Sequence, residues 1–581
     1  MGVHIERLTG HDHLAPLLAD WHHREWGHLY APGVWERDAA EREFVVMAQP
    51  GSSDQTWVAF DDTDGDLVPG SADAVLGSVS LVASDDLTGY DHLTPWLASL
   101  FVTDPARGRA VGTALVDAVL AAARDAGHEV VYLFTAGQQE FWAARGWSVV
   151  DRIETEGHPA SVMARSTHPH ATRRVVCSHW CSDPDTGGAY TYLRVGGTPE
   201  HRRRLQHEIL PLLWFAGEAT SSDHPATMHG AWFSGERAAD QVLATEGVES
   251  VLVIGAGLAG LVAAQRLQAG GREVVVVESK PHAGGRIATT HALGAPLPLG
   301  GAWLHGEVGH PMADLVDWTH EDWQVTGGIA VARSGTLDAA QLAQVEAAYD
   351  RAHEHYAMSA ADVSVRQAAS EALDTMTELS PVVRSAVLAV LTAECESLYA
   401  APMDDIAANG GFESYELPGD DRLILGGWDS VIERLSSGLD LRVSHRITAL
   451  SRSASTWRTD TGVTADAVVV TVPAPAMHRV AFEPALPDDV VDSLAHLGAG
   501  PVVKVFARFD AAWWPTARPL RLVGSTGFLL MVDVSAVAGA PTLCAFATGD
   551  AARVIEHLGE HDLCRLIDRA LTETGLRDTR F

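Results

Sequence analysis

Two short runs carry the residue types that cradle a phosphate. The first is Gly255-Ala256-Gly257-Leu258-Ala259-Gly260, preceded by the apolar run Val251-Leu252-Val253-Ile254 and followed by the helical pattern of Leu261–Ala269. Glycines let the main chain approach a pyrophosphate, and the N–H groups of a helix start hold its charge. Val274–Val277 reads as the next strand and ends at Glu278, 18 positions after Gly260. A carboxylate there takes ribose hydroxyls. Strand, glycine turn, helix and acid together predict a dinucleotide site built on Gly255, Gly257, Gly260 and Glu278. The second run is Arg107-Gly108-Arg109-Ala110-Val111-Gly112-Thr113-Ala114-Leu115, between the apolar strand Leu97–Val102 and a helix. Gly112 and Ala114 keep that turn small, and Arg107 and Arg109 add cations. The pattern suits a pyrophosphate and equally an ordinary strand–helix connection.

The elements around these runs fall into three stretches. Residues 1–165 mix helices and strands with an antiparallel flavour: a helix over Asp12–Glu25, strands at Thr56–Phe60, Ala74–Val82, Leu97–Val102 and Glu129–Phe134, and helices at Gly112–Ala126 and Gln138–Arg145. Residues 166–174 read as a polar linker. Residues 175–245 hold aromatic-rich strands and a glycine-punctuated helix. Residues 246–581 alternate strands and helices to the end. The fold class is α/β and α+β, multidomain, as 581 residues demand.

Composition narrows the partners. Lys+Arg 41 against Asp+Glu 76 gives a net charge of −35, which disfavours nucleic acid and anionic membranes and suits cationic small molecules; solubility alone also explains it. No apolar run spans a membrane, and no signal segment opens the chain. Glu6 stands where N-myristoylation needs Ser or Thr. Five cysteines in so long a chain point to a reducing cytoplasmic setting. Cys177 and Cys181 lack a matching pair, so no metal site is expected. Only two lysines occur, Lys280 and Lys504.

Residues 1–165 resemble the GCN5-related N-acetyltransferase (GNAT) family. Its Arg-x-x-Gly-x-Gly/Ala loop matches Arg109, Gly112 and Ala114, and Phe141-Trp142-Ala143-Ala144-Arg145-Gly146-Trp147 follows about 30 residues later. The resemblance implies acetyl-CoA as co-substrate. It departs at Trp142, where the family often has a Tyr acting as general acid; an indole N–H does not ionise usefully.

The rest of the chain resembles the FAD-dependent amine oxidases of the monoamine/polyamine oxidase superfamily. Gly284-Gly285-Arg286 is their second glycine pair with its Arg beside the pyrophosphate. Lys280 takes a place where relatives often carry Arg near the adenosine ribose. Leu299–Gly306 looks like the segment that passes the flavin, with His305 in a Trp-x-His-Gly run implied to contact the amine. Leu425-Gly426-Gly427-Trp428 resembles the Gly-Gly-aromatic turn. Val443–Leu450 is implied to run along the adenine, with Ile447 facing it, and Lys504 to hold a water against flavin N5. The family's closing segment, Aromatic-Phe-Ala-Gly-Glu and a helix, is out of order: it stands upstream as Trp214-Phe215-Ala216-Gly217-Glu218, then Thr227-Met228-His229-Gly230-Ala231. Glu218 is implied near the phosphates or ribityl chain, and the N–H groups of Gly230 and Ala231 at the flavin N1/O2 edge. Tyr190 matches an aromatic wall of the amine cage, and Thr227 stands where monoamine oxidases put the second Tyr. Packing in the core accounts equally for Trp180, Tyr190 and Trp214. Ala189 replaces the flavin-linked Cys of monoamine oxidases, implying non-covalent FAD.

This order implies a circular permutation, with 175–245 completing the pocket of 246–581. The alternative is a swap, in which 175–245 completes a second chain of a homodimer. The two resemblances imply a bifunctional enzyme. One part oxidises an amine, such as a polyamine or acetylated polyamine, with O₂ as acceptor and H₂O₂ released; the other acetylates an amine. The alternatives are an amino-acid or specialised amine oxidase with a silent or independent GNAT part, and a non-catalytic flavin-bound interaction module.

Overall fold

A computed structural model describes residues 3–29, 35–61, 74–85, 87–155, 158–167, 172–319, 329–331, 339–360, 362–408, 417–453, 455–514, 520–523 and 526–573. The chain divides into two compact units, Met1–Arg174 with Gly559–Cys564, and Val175–Leu558 with Arg565–Phe581. Part of the expected linker, 168–171, lies outside the described residues.

The smaller unit runs β1 (Val3–Arg7), α1 (Ala15–Trp26), α2 (Arg37–Met47), β2 (Gln55–Asp61), β3 (Ala74–Val82), β4 (Trp96–Val102), α3 (Val111–Asp125), β5 (Val130–Ala136), α4 (Gln139–Ala143), β6 (Ser148–Thr155) and β7 (His158–Ser166). The expected helix over Asp12–Glu25 opens as a 3₁₀ turn, Asp12–Leu14, with Pro in the first turn of the α-helix that follows. The strands form one sheet in the order β1-β2-β3-β4-β5-β7-β6. Helix α3 buries Leu115, Val116, Val119, Leu120 and Ala123, a stripe at helical spacing, in the same core as Trp57 and Val79. Strands β4 and β5 are parallel and pair only at Trp96 and Tyr132. Beside that contact, Ser99 adopts a left-handed φ of 56° and the β3–β4 register shifts. Such an irregularity bends a strand away from its neighbour.

In the larger unit the chain order begins β8 (Arg174–Cys177), β9 (Thr191–Leu193), α5 (Pro199–Arg204), β10 (Glu208–Leu210), β11 (Leu213–Phe215), α6 (Met228–Leu243), β12 (Ser250–Ile254), α7 (Leu258–Ala269) and β13 (Glu273–Val277). Its central sheet has the order β10, β11, Ala467–Val470, β12, β13, Asp440–Arg442, parallel from β11 onward. Strand β11 therefore comes from the early segment and lies in one sheet with strands of the late one. Alternation decides the faces. Val251 and Val253 enter one core with α6 and α7, while Leu252 and Ile254 enter another with Phe215 and Trp457. A sheet buried on both sides explains the unbroken apolar runs. A Cβ on Gly235 of α6 would run into the Ala259 carbonyl of α7, so glycine sets how closely these helices pack.

The helices Ala339–Ala357, Val365–Thr375 and Pro381–Tyr399 share a separate core around Tyr356, Val387 and Leu391. A second six-stranded sheet contains Val502–Arg508, which pairs along its length with Thr542–Thr548. Among the described residues, no helix is long and apolar enough to cross a membrane.

Candidate active site

The glycine turn opens onto a cavity with about 1290 Å³ of free space, part of it open solvent. Gly255, Gly257, Gly284, Gly285 and Arg286 line its middle. A Cβ on Gly285, where φ is +57°, would stand 3.2 Å from the Gly257 Cα, so these two turns touch backbone to backbone and leave the floor bare. Helix α7 begins at Gly257 with no side chain capping it, and its first residues Leu258 and Ala259 line the cavity. An uncapped helix start offers N–H groups to an anion. Gly260 does not line the space; a Cβ there would strike the Gly255 carbonyl, so it keeps the turn tight.

One end of the cavity is lined by Glu278, Ser279, Lys280, Arg446 and Ile447. Glu278 accepts the Ala256 N–H at 2.8 Å through one oxygen and the Lys280 N–H at 2.9 Å through the other, which ties the acid to the glycine turn. Asp183 and Asp185 come from the early segment. Asp183 pairs with Lys280. Asp185 accepts from Arg446 at 2.7 Å and from the Ser279 hydroxyl at 3.0 Å, and Arg446 holds its carboxyl below the usual range.

At the other end, Tyr190, Glu218, Thr227, Met228, Ala231 and Gly301 line the wall. Glu218 is buried, 6% exposed. It accepts from Arg286 at 2.8 Å, from the Thr191 hydroxyl at 2.7 Å and from the Ala226 N–H at 3.1 Å. Burial pushes this carboxyl up, but Arg286 and Arg202 outweigh it and hold it low. Arg202, fully buried, donates to the Thr191 hydroxyl at 2.9 Å and the Ala219 carbonyl at 3.0 Å.

Five sequence-predicted residues sit differently from expectation. Gly230 donates its N–H to the Thr227 hydroxyl at 2.9 Å, and Ala231 donates to the Thr227 carbonyl at 3.1 Å. Both groups serve the α6 cap, so neither N–H is spare for a ligand, although Ala231 itself lines the wall. Thr227 also donates its hydroxyl to the His224 carbonyl at 2.9 Å, so it acts as a helix cap at the cavity edge. His305 is not among the lining residues; its Nδ1 lies 3.2 Å from Asp421, which orients the ring. Lys504 lies behind the wall. It is buried against the Trp303 and Phe546 rings, at 5.0 and 5.4 Å, and donates to the Gly300 carbonyl, next to Gly301. Burial pushes its pKa down to about 8. Trp428, also buried, donates its indole N–H to the Gly301 carbonyl at 2.7 Å.

The donor set fits FAD: a glycine floor, an uncapped helix start, an acid at one end and a glutamate–arginine pair at the other. Among the described residues no cysteine lines the cavity, and Ala189 does. Sequence reasoning missed Asp183, Asp185, Thr191, Arg202 and Arg446. Nothing local in the sequence marks any of them as partners.

In the smaller unit, α3 also starts without a side-chain cap, after Ala110 at a left-handed φ of 60°. Arg107 pairs with Asp104 at 3.0 Å, and Arg109 makes a fork to Asp61 at 2.6 and 3.0 Å. The loop arginines are thus engaged by acids. Gly112 and Ala114 sit on the first turn of α3, and a Cβ on Gly112 would rest 3.5 Å from Val102. Trp142 is buried in the core with its ring edge-on to Trp147 at 5.5 Å, a packing role and no replacement for an acid.

His201, Asp492 and His496 bring three ligand-type atoms together. His201 Nδ1 accepts the Thr198 N–H at 2.9 Å, which leaves the neutral ring's proton on Nε2, the atom facing Asp492. Both histidine rings stand 3.6 Å from the Asp492 carboxylate, and His496 Nδ1 lies 2.9 Å from the Asp492 backbone carbonyl.

Comparison with known proteins places these features. Residues 160–243 and 332–576, more than half of the chain, match the family described as flavin containing amine oxidoreductase. Residues 253–318 match an NAD(P)-binding Rossmann-like domain. Residues 16–147 match the acetyltransferase (GNAT) family. Among similar proteins are polyamine oxidase 4 of Oryza sativa subsp. japonica, 28% identical over 55% of this chain and 71% of its own length, and polyamine oxidase 2 of Arabidopsis thaliana, 30% identical over 54% and 69%. A solved structure, cyclohexylamine oxidase from Brevibacterium oxydans IH-35A, aligns with a TM-score of 0.45 at 19% identity, over 57% of this chain and 83% of that one.

Proposed function

The chain belongs to the flavin containing amine oxidoreductases, and from that premise we propose that it oxidises a polyamine or acetylated polyamine with non-covalent FAD and O₂. The overall reaction takes an amine, O₂ and water to an aldehyde, the released amine or ammonia, and H₂O₂. The observation that carries this reading is the single cavity lined by both chain segments: Tyr190, Glu218 and Ala231 from one, Gly255, Glu278 and Arg286 from the other. It also supports the proposal that the segments are circularly permuted within one chain, without a swap. The proposed junction near Phe581 lies outside the described residues.

When bound, FAD supplies the acceptor for a hydride from the carbon beside the amine nitrogen. Gly255, Gly257, Gly284, Gly285, Arg286 and the α7 start would hold its diphosphate, Glu278 and Lys280 its adenosine ribose, and Ile447 its adenine. Tyr190 supplies an aromatic wall that excludes water from the amine. We assign His305, oriented by Asp421, to an amine contact, as the family resemblance implies.

Lys504 fixes the Gly300 carbonyl and, with its lowered pKa, is part amine near neutrality. As an amine it accepts a hydrogen bond from water; as an ammonium it only donates. Lys504→Met is expected to retain FAD and slow flavin reduction by roughly tenfold to hundredfold. The native rate should rise with pH through about 8, where Lys504 loses its proton, and the variant should lose that inflection. Unchanged stopped-flow kinetics and an unchanged profile would remove Lys504 from the chemistry.

We further propose that the smaller unit transfers acetyl from acetyl-CoA to an amine. The support is the GNAT match and the β4–β5 divergence beside the uncapped α3 start. The deciding experiment is a panel of spermine, spermidine, acetylated spermidine, cadaverine and amino acids, read as H₂O₂ and as labelled acetyl transfer. Peroxide with no amine would sink the oxidase reading; absent acetyl transfer would leave the smaller unit silent.

A further inference from the structure

A second cavity in the larger unit, with about 780 Å³ of free space, part of it open solvent, is lined by Tyr192, Arg194, Asp405, Ala499, Asp550 and Arg553 among others. Its size suits a small ligand. Tyr192 forms its floor. That residue is 5% exposed, and its hydroxyl has no hydrogen-bond partner among the described residues. A Cβ on Gly498 would run into the Tyr192 ring, so the glycine seats the phenol flat against the strand Leu497–Ala499. The phenol is therefore held in place where it lines the cavity. Asp405, Arg194 and Arg553 line the same cavity; burial and the Asp405 charge push the phenol's pKa up, and the two arginines oppose that rise.

The charges are balanced and uncommitted. Asp404, also in the lining, is already paired with Arg366 at 2.7 Å. Arg194, Asp405, Asp550 and Arg553 make no side-chain hydrogen bond or ion pair among the described residues. Four exposed ions of two signs line one cavity, and none is paired with another. A dication would meet Arg194 and Arg553; a dianion would meet Asp405 and Asp550. A molecule carrying one ammonium and one carboxylate satisfies both pairs, with the phenol donating to its carboxylate.

We propose that this cavity is a second small-molecule site, selective for a zwitterionic amino acid. The site is separate from the flavin cavity but mechanically joined to it through β9. Tyr190 faces the flavin cavity, Thr191 donates to Glu218, and Tyr192 floors the second site. Occupancy is therefore felt at the flavin end.

The test is calorimetry on the FAD-loaded full chain with glycine, 4-aminobutanoate, putrescine and succinate. At least one of the two amino acids should bind, and Arg553→Met and Asp550→Asn, both on the exposed rim, should each weaken it tenfold or more. Tyr192→Phe should weaken it severalfold with the flavin spectrum intact. Binding should also shift the flavin spectrum of the native protein. No binding by either amino acid, or binding indifferent to both rim variants, overturns the proposal. A heat from putrescine alone or succinate alone that the rim variants abolish would make it a cation or anion site and equally overturn it. None of these outcomes depends on which amine the protein oxidises.

Discussion

In the larger unit the turn at Gly255 meets partners drawn from far along the chain: Arg286 reaches Glu218, and Asp183 and Asp185 reach Lys280 and Arg446. In the smaller unit the turn at Arg109 meets partners from its own surroundings, Asp104 and Asp61, on exposed ground. Both turns put small residues at an uncapped helix start after a strand. In the first, acids and bases that are buried or half-buried, Arg446 alone being exposed, hold one another in place around open space, so the site is ready for its anion. In the second, the cations that would greet a phosphate already grip carboxylates, and an anion must displace Asp61 before Arg109 can serve. A glycine-rich turn therefore marks where a phosphate can sit; the partners of the neighbouring charges decide at what cost.

The largest expected effect strikes the buried network. Glu218→Gln leaves Arg286 and the fully buried Arg202 facing a neutral amide, and breaking one side of such a pair costs about 3 to 5 kcal/mol. Urea unfolding of the FAD-loaded protein measures it. The pH dependence follows from the sign of the shift. The folded pKa of Glu218 lies below its unfolded value, so its stabilisation is complete above the ordinary glutamate range. It fades as pH falls through the folded value, and the variant should lose that acid-side slope. Equal stability of the two proteins would mean the network holds nothing and would erase the contrast between the units.

Next comes Gly285→Val. The added side chain enters the floor against Gly257 at a left-handed φ, and FAD affinity should fall on the order of 100-fold. Visible flavin absorbance after desalting reports it. Acetyl-CoA binding by the smaller unit should be untouched, because the two sites rest on different residues. Retained flavin would show that the diphosphate lies elsewhere.

The cofactor turn was legible in the sequence because its signals are local: strand, three glycines, helix and acid fit within thirty residues. The residues that fix it in space were not. Arg202 reads as one of three consecutive arginines on a short helix, and only burial beside Thr191 distinguishes it from Arg203, which pairs with Glu200 on the surface. Asp185 and Arg446 are 261 positions apart, and no spacing rule connects such a pair. The expected N–H donors at Gly230 and Ala231 failed for a local reason: Thr227 is a strong N-cap, and its hydroxyl takes the Gly230 N–H and its carbonyl the Ala231 N–H. Asp61 escaped notice because it ends β2 at the start of an aspartate-rich run of the sequence, where one carboxylate among several looks solvated.

Asp61→Asn is the smallest expected effect and the most diagnostic for the smaller unit. The Arg109–Asp61 pair is exposed, and such pairs are weak because water and salt screen them. Releasing Arg109 should tighten acetyl-CoA binding by roughly twofold to fivefold, measured by calorimetry at low salt, with the gain shrinking as salt rises. Arg109→Ala should move affinity the other way. If Asp61→Asn weakens binding, the aspartate positions the arginine and does not compete for it, and the two turns are closer in design than their partners suggest. If neither variant changes affinity while acetyl-CoA still binds, the phosphates do not meet this loop, and the shared glycine pattern is no guide to function in the smaller unit.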